Sequence, residues 1–232
     1  MSVPFPCGLV IFDCDGVLVD SEVISCRVHA ETLTRHGYPI TAEEVRARFL
    51  GRSARDANAE IERELGRPLP AAYDPERRAA LLAALAESTE AIPHVHAALD
   101  AIAAPVCVAS SGAHDKIFTT LMRAGLYHRF APNIFSAFQV KAGKPAPDLF
   151  LFAAARMATA PNRCVVVEDS PSGVIAGRAA GMTVIGFTGG SHCRAGDAAR
   201  LRDAGAGRVI DDMRGLADAI AQSLDSAETG AI

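Results

Sequence analysis

The stretch LVIFDCDGVLVDSE, residues 9–22, decides the reading of the chain, because an apolar run stops there at two carboxylates one residue apart. Leu9 to Phe12 is short and rich in branched side chains, the pattern of a strand buried on both faces of a parallel sheet, with Gly16 supplying the turn beyond it. Asp13 and Asp15 then stand at a strand's carboxyl end, where open α/β sheets place their ligands. Two close carboxylates repel unless a cation or a proton relieves them, so a bound metal is the first expectation. A solvated turn is the alternative for this motif taken alone.

Working outward, residues 21–90 carry helical periodicity and no convincing strand, with helices expected near 21–36, 41–49, 54–65 and 75–90, separated by Gly37-Tyr38-Pro39, Gly51-Arg52-Ser53 and Gly66-Arg67-Pro68. After Ile92-Pro93 the pattern changes to apolar runs alternating with helices: Val106 to Ala109, a weak Ile134 to Ser136, Cys164 to Val167, Val184 to Phe187 and Val209 to Ile210. Such alternation predicts an α/β fold, a doubly wound parallel sheet with helices on both faces, which the first strand joins across an all-helical insertion. The tail after about Asp225 reads as frayed.

The chain of 232 residues, 50% apolar, is long enough for one large packed domain or a core with a modest insertion. A formal charge of -4 and the lack of a basic block or interleaved aromatics argue against a nucleic-acid partner, and no protein partner is predicted. The N-terminal apolar run breaks at Asp13 and lacks a basic leader or small-residue cleavage site, so neither a signal peptide nor a membrane span is expected, and the cytoplasm is the default location. Cys7, Cys14, Cys26, Cys107, Cys164 and Cys193 form no C-x-x-C pair, which predicts reduced thiols. His94 and His96 have no third ligand nearby in sequence and read as structural or exposed.

Three further strand ends carry polar groups. Pro105 to Ala109 leads into Ser110-Ser111-Gly112 and a helix beginning near Ala113, either a phosphate cradle of hydroxyls and free N–H groups or an ordinary serine N-cap. Lys144 sits in Gly143-Lys144-Pro145-Ala146-Pro147-Asp148, stiffened by two prolines, in a chain whose lysines are only Lys116, Lys141 and Lys144; the alternative is solvated surface charge. Cys164 to Val167 ends in Glu168-Asp169-Ser170-Pro171, repeating the opening logic of strand, paired acids and a turn into a helix.

Phosphoryl transfer joins these pieces. Asp13, Asp169 and the main-chain oxygen of Asp15 suit a hard cation such as Mg²⁺. Asp13 suits the nucleophile that forms an aspartyl-phosphate, and Asp15 the group that protonates the leaving oxygen and then deprotonates water. Ser110 and Lys144 suit the oxygens of the transferring group.

In DCDGVLVD, the strand ending at Ser110, GKPAPDLF and VVVEDSPSG, the sequence resembles the haloacid-dehalogenase superfamily over nearly its whole length. The resemblance implies a Rossmann-like catalytic core, residues 1–19 and 93–232, with a helical cap domain over residues 20–92. It implies Asp13 and Asp15 as catalytic residues, Ser110, Ser111 and Lys144 as phosphate contacts, and Asp13, Asp15, Glu168 and Asp169 around Mg²⁺, Glu168 acting directly or through water. Phosphonate-hydrolysing members use a cap lysine, and none precedes Lys116; the acids at Asp15, Glu168 and Asp169 favour phosphate chemistry over halide release.

The expected function is therefore a Mg²⁺-dependent phosphomonoesterase acting on a small phosphorylated metabolite, a sugar phosphate or sugar-acid phosphate. β-Phosphoglucomutases are the rival, but Ser25 stands near the place of their cap histidine. A narrower similarity, in FDCDGVLVDSEVI and FLGRS, is to bacterial phosphatases of the phosphogluconate-hydrolysing type. A catalytically idle phosphometabolite-binding module is the alternative of another class. Arg52 or Arg55 in the cap loop is the candidate reader of the substrate's distal end, with hinges near Val19 to Ser21 and Ala91 to Pro93.

Overall fold

A computed structural model describes residues 7–51 and 54–229, with side chains not described at 54, 55 and 224–229. Six strands, β1 (Leu9–Phe12), β2 (Val106–Ser110), β3 (Ile134–Ser136), β4 (Cys164–Glu168), β5 (Thr183–Phe187) and β6 (Arg208–Ile210), form one parallel sheet in the order β3-β2-β1-β4-β5-β6. Strand order reverses about β1, so the carboxyl ends of β1, β2 and β4 border the crevice where such sheets hold ligands. The register sets Phe12 beside Val108 on one side and beside Val167 on the other, which brings the residues just beyond these strands to one edge.

The central strands are buried on both faces, and alternate residues enter different cores. Val10, Phe12, Val108, Val165 and Val167 meet α5 (Val95–Ala101), α6 (His114–Arg123), α7 (Tyr127–Phe130) and α11 (Leu216–Thr229). Leu9, Ile11, Cys107, Ala109 and Val166 meet α8 (Asp148–Arg156), α9 (Pro171–Ala179) and α10 (Asp197–Asp203). Helix α11 runs to Thr229, through the segment after about Asp225 where fraying was expected, and its Leu216, Ala219 and Ile220 are anchored in the core. All six cysteines are free, and His94 and His96 are exposed.

Between β1 and β2 lie α1 (Glu22–Arg35), α2 (Ala42–Phe49), α3 (Ala54–Leu65) and α4 (Tyr73–Ser88), within two residues of each boundary read from periodicity. Thr41 starts α2 with a capping box closed by Glu44. The four helices surround a cluster of their own that includes Cys26, Leu33, Val45, Phe49, Ile61 and Tyr73. The two segments that join this insertion to the sheet run side by side: Asp20 N–H donates to Glu90 O at 2.9 Å, and Ile92 N–H to Leu18 O at 3.0 Å. No helix among the described residues is long and apolar enough to cross a membrane.

Candidate active site

The acids expected at strand ends converge with Lys144. Asp13 follows β1, its N–H donating to Val167 O at 3.0 Å, and Glu168 closes β4. Lys144 Nζ bridges the two, 2.5 Å from Asp13 Oδ1 and 2.6 Å from Glu168 Oε1, with only 4% of its side chain exposed, and it lies 4.9 Å from the Phe150 ring centroid. The surface alternative for Lys144 is thereby set aside: its position suits a compact ammonium between two carboxylates.

Asp13, Glu168 and Asp169 each offer an oxygen within 4.8 Å of the others. Burial pushes the Asp13 carboxyl well up, against the pull of Lys144 and with help from Glu168, Asp169 and Asp15; Asp169 rises to about 6, again by burial, opposed by His192. Such a group of hard oxygen donors could hold a divalent cation. Glu168 is already occupied on both oxygens, since Oε2 accepts from Ser170 N–H at 2.8 Å and from Ser170 Oγ at 2.9 Å. Ser170 also caps α9 through Gly173 N–H, with Pro171 at the first helical position.

Asp15 is arranged differently. Its Oδ1 accepts from Ser21 Oγ at 2.5 Å and pairs with Lys116 Nζ at 2.9 Å. Burial works against its charge, but Lys116 and the Ser21 hydroxyl outweigh it and hold the carboxyl below its ordinary range. Its side chain is outside the three-carboxylate group. Ser110, buried at the end of β2, accepts from Gly112 N–H at 3.0 Å, which leaves its own hydrogen to donate, and Ser136 Oγ secures the turn by donating to Gly112 O at 2.6 Å. Ser111 is exposed beyond it. Arg52 lies outside the described residues, as does the side chain of Arg55, whose backbone is in α3.

Three groups at this edge escaped the sequence reading. Lys116 on α6 carries the partner of Asp15; Glu22, at the start of α1, is raised to about 7 by burial; and His192, 5% exposed, places Nε2 at 3.1 Å from Asp169 Oδ2. The rarity of lysine pointed to Lys116 as much as to Lys144, since two of the three lysines face this edge.

Comparison with known proteins shows the family. A family model described as haloacid dehalogenase-like hydrolase matches residues 7–181. The 6-phosphogluconate phosphatase of Escherichia coli K12 is 35% identical over 184 residues, covering 79% of this chain and 83% of the relative. A crystal structure of a conserved haloacid dehalogenase-like protein of unknown function from Agrobacterium tumefaciens superposes with a TM-score of 0.84 at 43% identity, covering 93% of this chain and 98% of the other. A hydrolase of the same type from Deinococcus radiodurans, with bound phosphate and sodium, gives a TM-score of 0.78 at 31% identity over 94% of this chain and 97% of its own.

Proposed function

Because the chain belongs to the haloacid dehalogenase-like hydrolases, we propose that it is a Mg²⁺-dependent phosphomonoesterase of small phosphorylated metabolites, sugar phosphates and sugar-acid phosphates such as 6-phosphogluconate. The observation that carries the reading is the Lys144 bridge between Asp13 and Glu168, with Asp169 beside them, at the sheet's ligand edge. Asp13, Asp169 and the Asp15 main-chain oxygen, with Glu168 direct or through water, would hold the cation, which would supply charge screening and orient a phosphate oxygen.

The chain's own groups then perform two displacements. An Asp13 carboxylate oxygen attacks phosphorus, the ester P–O bond breaks, and Asp15 gives its proton to the departing oxygen. Asp15, now ionised, takes a proton from water as that water attacks the aspartyl-phosphate, releasing inorganic phosphate and restoring Asp13. Ser110, Ser111 and Lys144 hold the oxygens of the transferring group by hydrogen bonding and charge. Asp15 must carry a proton for the first step, yet Lys116 and Ser21 favour its ionised form. An arriving phosphate dianion competes for Lys116, and loosening that pair returns Asp15 toward its acid form.

The insertion serves as a cap over residues 20–92 on a core of 1–19 and 93–232, hinged where the two connections run together, with Arg52 or Arg55 reading the leaving group's far end. Hydrolysis rather than mutase transfer is supported by Ser25, whose hydroxyl donates to Ser21 O at 3.0 Å where a mutase needs an acid/base histidine.

Phosphate release over a panel of sugar phosphates, sugar-acid phosphates and nucleotides tests the proposal. Mg²⁺-dependent turnover is expected on the first two classes, and Asp13→Asn is expected to lose about 10⁴-fold or more while keeping its fold. Silence across the panel with tight metabolite binding would instead make the chain a binding module. Glucose 6-phosphate formed from β-glucose 1-phosphate with a bisphosphate primer would make it a mutase.

A further inference from the structure

Ser191, His192 and Arg194 follow β5 at the same sheet edge as the carboxylates, and each reaches a different part of the molecule. His192 Nε2 lies 3.1 Å from Asp169 Oδ2. Ser191 donates to Asp20 Oδ1 from its N–H at 3.2 Å and its hydroxyl at 2.8 Å, on the segment that enters the helical insertion. Arg194 pairs with Glu43 of α2 at 3.5 Å.

The chain leaves room for the His192–Asp169 pair at two glycines. A Cβ on Gly16 would stand 2.0 Å from Asp169 Oδ2 and 2.7 Å from His192 Cε1, and one on Gly190 would stand 2.8 Å from both His192 Cε1 and Nδ1. His192 Nδ1 is buried without a hydrogen-bond partner among the described residues, while Cys193 Sγ is 3.5 Å from Nε2. The carboxylate of Asp169 is thus the imidazole's one strong polar contact among the described residues.

We propose that His192 is the positioning residue of Asp169, its Nε2–H fixing one carboxylate oxygen so that the other is presented to the divalent cation. Ser191 and Arg194 tie the same loop to the insertion. The inference rests on the metal-dependent reading above. Carboxylates that ligate metals are themselves held by hydrogen bonds, and loss of such an outer partner lowers metal affinity by about 10–100-fold.

Mn²⁺ affinity of the full chain, read from the free-ion electron paramagnetic resonance signal without substrate, tests it. His192→Ala is expected to weaken Mn²⁺ binding by about 10–100-fold, and His192→Gln, which keeps a donor, to recover most of that loss. At saturating metal the kcat of His192→Ala should return toward that of the unsubstituted protein, because the histidine touches no reacting atom. Equal Mn²⁺ affinity in the Ala variant and the unsubstituted protein overturns the inference. Should the Ala variant not fold, His192→Gln against His192→Leu decides: similar volumes, one donor, and equal affinities would again overturn it. If the unsubstituted protein binds no Mn²⁺, the functional reading falls first and this inference with it.

Discussion

At the carboxyl edge of the sheet Asp13, Asp15, Glu168 and Asp169 meet Lys144, Lys116, Lys144 and His192 respectively, whereas inside the helical insertion His29 Nε2 and Tyr73 Oη are buried with no hydrogen-bond partner among the described residues. The His29 and Tyr73 rings lie 6.4 Å apart, and the imidazole is lowered to about 4, by burial first and then by Arg77, so it stays neutral. The difference follows from what each kind of group loses on leaving water. A neutral polar atom without a partner costs about 1–3 kcal/mol, while an unpaired buried charge costs several times more. Partners are therefore concentrated where charge must be kept, at the carboxyl edge of the sheet.

The sharpest way to break this contrast is to remove the cation that bridges two acids. Lys144→Met leaves Asp13 and Glu168 buried side by side without their shared counter-charge, which should cost about 3–5 kcal/mol at pH 7, read from urea midpoints. The sign with pH is fixed by proton uptake. With the lysine gone, the folded state holds the carboxyl protons more tightly than the unfolded chain, so stability should recover as pH falls from about 7 toward 5. A variant as stable as the original protein at pH 7 would show that the edge is not held together by this bridge.

Lys116 offers a smaller effect on rate. Lys116→Met removes the charge that keeps Asp15 below its ordinary range, so the limb of the pH–kcat/KM profile that the proposed mechanism assigns to Asp15 should move to higher pH, with turnover at neutral pH changed by about 10–100-fold. An unmoved limb would separate Lys116 from the acid/base group. Lys116 is marked in the sequence by the rarity of lysine but not by its position. The strand ends at Asp13, Ser110 and Glu168-Asp169 are legible because a buried apolar run must stop somewhere, and polar residues at its carboxyl end stand out. Lys116 lies in the first turn of α6, where a lysine reads as solvated, and only the packing of α6 against the sheet turns it onto Asp15. His192 follows Gly189-Gly190 after β5, so the same edge rule applied to a fifth strand would have marked it; its pairing with Asp169 spans loops that no periodicity connects. The four helices of the insertion were legible from period and glycine breaks, but their orphaned polar atoms depend on inter-helix packing that periodicity does not encode.

The smallest expected effect belongs to the insertion itself. Tyr73→Phe removes a buried hydroxyl that has no partner among the described residues and should leave stability unchanged or raise it by about 1 kcal/mol. His29 supplies the pH signature. Its folded value of about 4 lies below the ordinary 6.5, so the unfolded chain takes up a proton in that interval that the folded chain resists. Stability from this group is complete above 6.5 and is lost as pH falls toward 4, with a ceiling of about 3 kcal/mol. His29→Leu should flatten that acid-side slope while Tyr73→Phe leaves it in place, both read from urea midpoints at several pH values. The slope is opposite in sign to the recovery expected of Lys144→Met. Acidification therefore separates the two regions within one molecule, relieving the edge that has lost its cation and loading a proton onto an imidazole whose burial opposes it.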